Sequence, residues 1–280
     1  MASIEQGLAK ARDAKARPRD GDIPELVVAA SNAPVLTESL TRVKLNARSL
    51  RDNRVVIDEE SPASSAYKML RTRVLQRMRR NGWSTLAVTG TCPDEGKTLT
   101  AINLSVSLAR DLNTTVMLVD LDLRKPAIAR YLGVSPRFGI GDYLQGAVSL
   151  ERAAVRCDLD RLGFLLNERS FPNSSELLTS PQMEALVGRL RQGEGRLVVF
   201  DLPPLLVTDD MLAFGPLVDA TLLVLSQGKT RQADLIAAKE LLQDMNIVGT
   251  VLNRSTENVA PYYYYYGYGR SASREGDGAA

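Results

Sequence analysis

Histidine is missing from all 280 residues. That removes Ser-His-Asp hydrolases, imidazole-based general acid–base chemistry and most catalytic zinc sites. Cysteine is nearly missing. Cys92 and Cys157 are too few for a disulfide framework and fit a reducing compartment. Long apolar runs are missing too. No stretch reaches the roughly 18–20 residues needed to cross a bilayer, and residues 1–19 lack the apolar core of a signal peptide. These absences lead to the expectation of a cytoplasmic chain, associated with the inner face of the plasma membrane only through a partner. Strong net charge is also lacking. The balance is +2, so no nucleic-acid partner is expected.

What is present suits a soluble α/β protein, with 44% apolar and 24% charged residues. Ser3 with Gln6 forms a capping-box pattern, and Ile4, Leu8 and Ala11 fall on one face, so a short N-terminal helix is expected. Pro18, Pro24, Pro34 and Pro62 interrupt residues 17–62, which read as a loose arm. A domain over 63–257 follows, then a disordered tail over 258–280. The domain opens with a helix over 63–81. Ala66, Leu70, Val74 and Met78, with Tyr67 and Leu75 beside them, form its apolar stripe. Lys68, Arg71, Arg73, Arg77, Arg79 and Arg80 cover the rest, either as a solvated face or as a contact surface for another subunit or an anionic surface.

From residue 84 onward, short Val- and Leu-rich runs alternate with helical segments. The runs lie at 85–89, 115–120, 162–166, 197–201, 221–226 and 247–252. The helices are expected near 97–111, 174–192, 209–217 and 230–245, with Asn173 and Glu176 capping the second and Thr230 opening the last. Strands of this kind are buried on both faces. The alternation predicts βαβ units and a mostly parallel sheet flanked by helices. Ligands of such sheets sit at the carboxyl ends of the strands.

The polar residues after three of these runs carry the chemistry. The first run leads into Thr89-Gly90-Thr91-Cys92-Pro93-Asp94-Glu95-Gly96-Lys97-Thr98 and then a helix, the layout of a Walker A loop, so the expected fold is a P-loop NTPase. Its backbone N–H groups, from Gly90 to Thr98, would wrap phosphates. Lys97 would reach the β- and γ-phosphates, and Thr98 would ligate Mg²⁺. Thr91 stands where the first glycine of the standard spacing is expected. The second run ends in Asp120-Leu121-Asp122-Leu123-Arg124, placing two carboxylates on one side of a strand end. One would orient or deprotonate a nucleophile, and the other would hold the metal or its water. The run at 197–201 ends in Asp201-Leu202-Pro203-Pro204. A carboxylate at that place is the Walker B arrangement, so Thr98, Asp122 and Asp201 are the candidate Mg²⁺ residues.

Together these motifs resemble the bacterial tyrosine kinases that regulate capsular and exopolysaccharide synthesis and export. The resemblance covers roughly residues 60–255. It rests on Asp120-Leu121-Asp122-Leu123-Arg124-Lys125-Pro126, Asp201-x-x-Pro204, Pro172-Asn173-x-x-Glu176-Leu177-Leu178 and Val251-Leu252-Asn253. The tail also carries Tyr262, Tyr263, Tyr264, Tyr265, Tyr266 and Tyr268, like that family's autophosphorylation cluster. The resemblance implies a catalytic set of Lys97, Asp120, Asp122 and Asp201 acting on ATP and Mg²⁺. Asp120 would be the base for a tyrosine hydroxyl, and Asn253 would lie near the adenine. A separate transmembrane activator, a polysaccharide co-polymerase, is the implied partner. The family's oligomerisation motif Glu-x-x-Arg-x-x-Arg falls on Ser65, Lys68 and Arg71. The glutamate is lost and lysine replaces an arginine, which removes a bidentate fork and weakens the case for the family's ring. Two other readings stay open: a partition- or division-site ATPase, and a non-catalytic nucleotide-dependent regulator of polysaccharide assembly. The ATPases carry a second lysine where this chain has Cys92.

Overall fold

The computed structural model describes residues 40–57, 60–159 and 161–256. The expected N-terminal helix and the tyrosine run lie outside them. In chain order the elements are β1 (Thr41–Arg42), α1 (Ala47–Asp52), α2 (Pro62–Asn81), β2 (Thr85–Gly90), α3 (Lys97–Ala109), β3 (Thr115–Asp120), α4 (Ile128–Leu132), α5 (Ile140–Leu144) and α6 (Leu150–Ala153). Then come β4 (Ala154–Arg156), β5 (Leu162–Leu165), α7 (Ser174–Leu178), α8 (Pro181–Leu190), β6 (Arg196–Asp201), α9 (Asp210–Phe214), a 3-10 turn (Gly215–Leu217), β7 (Ala220–Ser226), α10 (Gln232–Leu241) and β8 (Ile247–Asn253).

The strands form one sheet in the order β1-β4-β5-β3-β6-β2-β7-β8. Every pairing is parallel except β4 with β5. Alternate residues of the central strands feed two cores, one on each face. Leu86, Val88, Val116, Leu118 and Val199 join the layer beneath α2 and α3. Ala87, Met117, Val119, Val198 and Phe200 join the layer containing α8 and α9. Coverage on both faces is why these strands read as continuous apolar runs.

Three expectations need correction. Residues 40–57 are not loose. Leu40, Leu50 and Val55 are buried, and Asn46 caps α1 by accepting from Arg48 and Ser49 N–H, both at 3.0 Å. The segment is fastened by Asn46 N–H to the Leu132 carbonyl at 3.0 Å and by Val56 N–H to Asn103 Oδ1 at 2.9 Å. Gly133, with φ +65°, lets it come close: a Cβ there would lie 2.5 Å from Asn46 Cβ. The helix expected over 174–192 is two helices. Ser180 caps α8 and Pro181 occupies its first turn, where proline's missing N–H is no loss. Asn173 makes no side-chain cap. The last helix opens at Arg231, with Asp234 reaching back to the Arg231 N–H at 3.2 Å, and Thr230 is used elsewhere.

The basic helix α2 buries Ser64, Val74, Leu75 and Met78, while Ala66 is exposed. Much of its positive charge is bound within the domain. Arg71 donates to the Ser107 carbonyl at 3.0 Å, Arg77 to the Val248 carbonyl, and Arg79 to Asp111 at 3.0 Å. At the opposite end of the sheet from the phosphate loop, Asp219 Oδ2 accepts from the N–H groups of Ser84 and Thr85 at 2.9 Å each and from the Thr85 hydroxyl at 2.8 Å. Arg191 stands 3.2 Å from its other oxygen.

Candidate active site

The phosphate loop joins β2 to α3. Asp94 and Gly96 both have positive φ, +60° and +90°, and Gly96 caps α3 without a side-chain bond. The first N–H groups of α3 therefore have no intrahelical partner and point out of the loop. The chain after β6 runs alongside: Leu205 and Leu206 N–H donate to the Gly90 and Thr91 carbonyls at 2.9 and 3.1 Å. The Thr89 hydroxyl donates to the Pro203 carbonyl at 2.7 Å. This is how Pro203 and Pro204 keep the post-strand segment against the loop.

Asp120 and Asp201 are direct partners in the β3–β6 register, so the two carboxylates leave adjacent strand ends together. Both are fully buried. Asp120 Oδ2 accepts from Ala127 and Ile128 N–H at 3.1 and 3.0 Å, and its Oδ1 has no hydrogen bond. Burial, then the charge of Asp201, pushes its pKa well above the usual carboxylate range, more than the two N–H bonds pull it down. Burial likewise pushes Asp201 up to about 6, against the pull of Lys97 and the nearby Thr98 hydroxyl. Neither oxygen of Asp201 has a hydrogen bond of good geometry. Asp122 takes the Lys97 ammonium at 3.0 Å and the Lys125 N–H at 3.0 Å. Burial pulls the Lys97 ammonium down, but the charges of Asp201, Asp122 and Asp120 together push it higher. The loop lysine and all three strand-end carboxylates are thus one cluster.

That cluster suits a cation. Three carboxylates face one ammonium, and three buried carboxylate oxygens lack hydrogen-bonding partners. Among the described residues, no three Asp, Glu, Cys or His side chains are arranged to hold a metal by themselves. Mg²⁺ commonly binds through one or two carboxylates, with water and substrate phosphates completing its shell. Thr98, Asp122 and Asp201 match that habit.

The remaining expected residues separate into three groups. Cys92 is half-buried, and Pro93 and Asp94 are exposed. Asn253 lies against the loop, its amide donating to the Glu95 carbonyl at 2.9 Å. Ser65 and Lys68 line a shallow groove of about 430 Å³ with Met69, Thr72 and Arg73, whereas Arg71 is turned onto α3. A cleft of about 630 Å³ lies along α4 between Pro126, Arg130, Asn167 and Glu168. Its lining includes none of Asp120, Asp122 and Asp201.

Sequence reasoning missed the contacts that lie behind these residues. Arg124 Nε donates to the Ser174 hydroxyl at 2.8 Å, which donates to the buried Asp210 at 2.7 Å. Ser174 belongs to the Pro172–Leu178 stretch singled out above, so the signal was present but its partner was not visible. Glu95 is fully buried and bonded to Thr230, a contact no local pattern announces.

Residues 86–263 match the model of the CobQ/CobB/MinD/ParA nucleotide-binding domain. The tyrosine-protein kinase YwqD of Bacillus subtilis (strain 168) is 30% identical over 214 residues, covering 76% of this chain and 90% of that protein. The succinoglycan biosynthesis transport protein ExoP of Rhizobium meliloti (strain 1021) is 30% identical over 220 residues, 74% of this chain and 27% of ExoP. This chain therefore spans about a quarter of that longer relative. The kinase domain of the Escherichia coli tyrosine kinase ETK superposes with a TM-score of 0.66 at 27% identity, covering 78% of this chain and 84% of that one.

Proposed function

The chain belongs to the bacterial tyrosine kinases and carries the CobQ/CobB/MinD/ParA nucleotide-binding domain, and from that premise we propose that it moves the γ-phosphoryl group of ATP onto tyrosine hydroxyls of its own C-terminal cluster. One observation carries the reading: Lys97, Asp120, Asp122 and Asp201 converge at two adjacent strand ends beside the phosphate loop. Phosphoryl transfer asks mainly for positioning and charge stabilisation. The loop N–H groups and α3 would cradle the β- and γ-phosphates, and Lys97 would leave Asp122 to follow the transferring charge. Mg²⁺, when bound, would neutralise charge on the phosphate oxygens. Thr98, Asp122 and Asp201 would hold it.

A tyrosine hydroxyl has a pKa near 10 and needs a base. Asp120 is suited to that role. Its Oδ2 is fixed by two N–H groups while Oδ1 is unbonded, and its raised pKa makes the carboxylate a stronger proton acceptor. The acceptors in this reading are Tyr262 to Tyr266 and Tyr268. Phosphates there would turn a neutral cluster strongly anionic.

Regulation of capsular or exopolysaccharide synthesis follows from the kinship with ExoP, a protein named for succinoglycan biosynthesis and transport. Among the described residues no helix is long and apolar enough to cross a membrane. A membrane protein offering a cytoplasmic activating segment is the partner this reading calls for. Cys92 brings no ammonium to the loop, unlike the second lysine of partition-type ATPases.

The test is ATP incubation of wild type and Lys97→Met, followed by mass spectrometry of the C-terminal peptide. Phosphotyrosine in wild type and none in the variant is expected. ATP hydrolysis without phosphotyrosine, with the membrane partner's activating segment present, would refute the kinase reading.

A further inference from the structure

An acidic side chain inside a phosphate-binding loop works against an anionic ligand unless it is turned away and held by hydrogen bonds of its own. Glu95 is in that position, one residue before Gly96-Lys97-Thr98, and it is fully buried. Its Oε1 accepts from the Thr91 hydroxyl at 2.6 Å and from the Thr230 hydroxyl. Its Oε2 accepts from the Cys92 N–H at 2.9 Å. Gly90 makes room for it, since a Cβ there would stand 2.5 Å from Oε2. A buried carboxylate is costly unless it is fully bonded, and these three donors satisfy it with charge-assisted bonds.

The far ends of these bonds belong to a different part of the fold. Thr230 follows β7, and its oxygen also accepts from the Ser226 N–H at 2.9 Å. The Glu95 carbonyl accepts from Asn253, at the end of β8, at 2.9 Å. Asn253 fills the space where a side chain on Gly96 would be, 2.0 Å from that Cβ position. Lys229 adds an exposed pair with Asp94 at 3.3 Å. The segment between Ser226 and Thr230 and the end of β8 thus clamp both the side chain and the carbonyl of one loop residue.

We propose that Glu95, held by Thr230 and Asn253, is the positioning residue that gives the phosphate loop its binding shape before nucleotide arrives. In this arrangement Glu95 does not touch the phosphates. It engages the Cys92 N–H and fixes the turn through Asp94 and Gly96, so that the remaining N–H groups and Lys97 face the ligand. Preorganisation of this kind raises affinity by lowering the ordering cost of binding. The inference rests on the nucleotide-binding reading of the loop.

Calorimetric titration of the full chain with ADP and Mg²⁺ tests it, because it reports affinity and the fraction of competent protein separately. Thr230→Val removes one donor to a charged acceptor and is expected to weaken ADP by about tenfold, with stoichiometry kept near that of wild type. Thr230→Ser keeps the hydroxyl and is expected to restore affinity to about wild-type level. Asn253→Ala, at the half-buried end of the clamp, is the second variant and is also expected to bind about tenfold more weakly. Wild-type affinity in both Thr230→Val and Asn253→Ala would overturn the proposal. So would equal losses in Thr230→Val and Thr230→Ser, or a lowered stoichiometry with unchanged affinity, which is plain loss of folded protein. A wild type that binds no ADP would sink the nucleotide reading itself, and this inference with it.

Discussion

At the scale of single residues, Asp201 shows how a site can weigh against the fold that holds it. Its carboxylate is buried beside Asp120 and Asp122, and its pKa is pushed up to about 6, against an unfolded value near 3.9. The folded protein binds this proton more tightly than the unfolded chain does. Stability therefore falls as pH rises between about 4 and 6. Asp201→Asn removes the buried charge. It is expected to raise the nucleotide-free Tm at pH 7 by about 2–4 °C and to flatten the slope of Tm between pH 4 and 6. The same change should lower phosphotyrosine formation by about a hundredfold or more. Thermal melts across that range, paired with a labelled-ATP assay, check both. Asp120, Asp122 and Asp201 were legible in the sequence because a carboxylate after an apolar run must emerge at a strand's carboxyl end. Glu95 was legible only as a loop member. Its role depends on Thr230, which lies 135 residues further along the chain, and no local spacing encodes that.

At the scale of elements, the long runs that are buried on both faces were readable, and the short pieces were not. The strands at 85–90, 115–120 and 196–201 are six residues each, rich in Val and Leu, and flanked by polar ends. β1 and β4 have two and three residues, too few to establish any period. Pro181 was misread as lying inside a helix because apolar spacing continues across it. The Ser180-Pro181 pair instead starts a new helix. Asp219 is another element-level device. Burial pushes its carboxyl up, but the Ser84 N–H and the Thr85 hydroxyl and N–H, with Arg191, hold it below the ordinary range. Its contribution is fully present above the unfolded value of about 3.9 and is lost as pH falls through the lower folded value. Asp219→Asn is expected to destabilise by about 2 kcal/mol at pH 7, read as a lower urea midpoint. The gap from wild type should close below about pH 4.

At the scale of the whole molecule, composition pointed to the wrong place for the start of the folded part. Residues 40–57 look unstructured by their charges and prolines nearby, yet they strap α4 and α3 to one another. α4 is the helix whose first N–H groups hold Asp120. Few apolar residues carry this strap, because backbone and Asn side-chain bonds do most of the fastening. Hydrophobic periodicity is blind to such a segment.

Arg77 gives the molecule one more property. β8 is the end strand of the sheet among the described residues, and its register with β7 shifts at the pair Thr221 and Leu222. The shift leaves Val248 opposite no residue of β7, and the Arg77 guanidinium takes the Val248 carbonyl. An uncovered strand end with free carbonyls is a template for joining another chain, and bulges and charged side chains are the usual safeguards. Arg77 is accordingly a guard on solubility as well as an anchor for α2. Arg77→Ala is expected to self-associate more as protein concentration rises, while still binding ADP. Static light scattering over a dilution series would show it, and a molar mass that stays flat with concentration, equal to that of wild type, would remove this role.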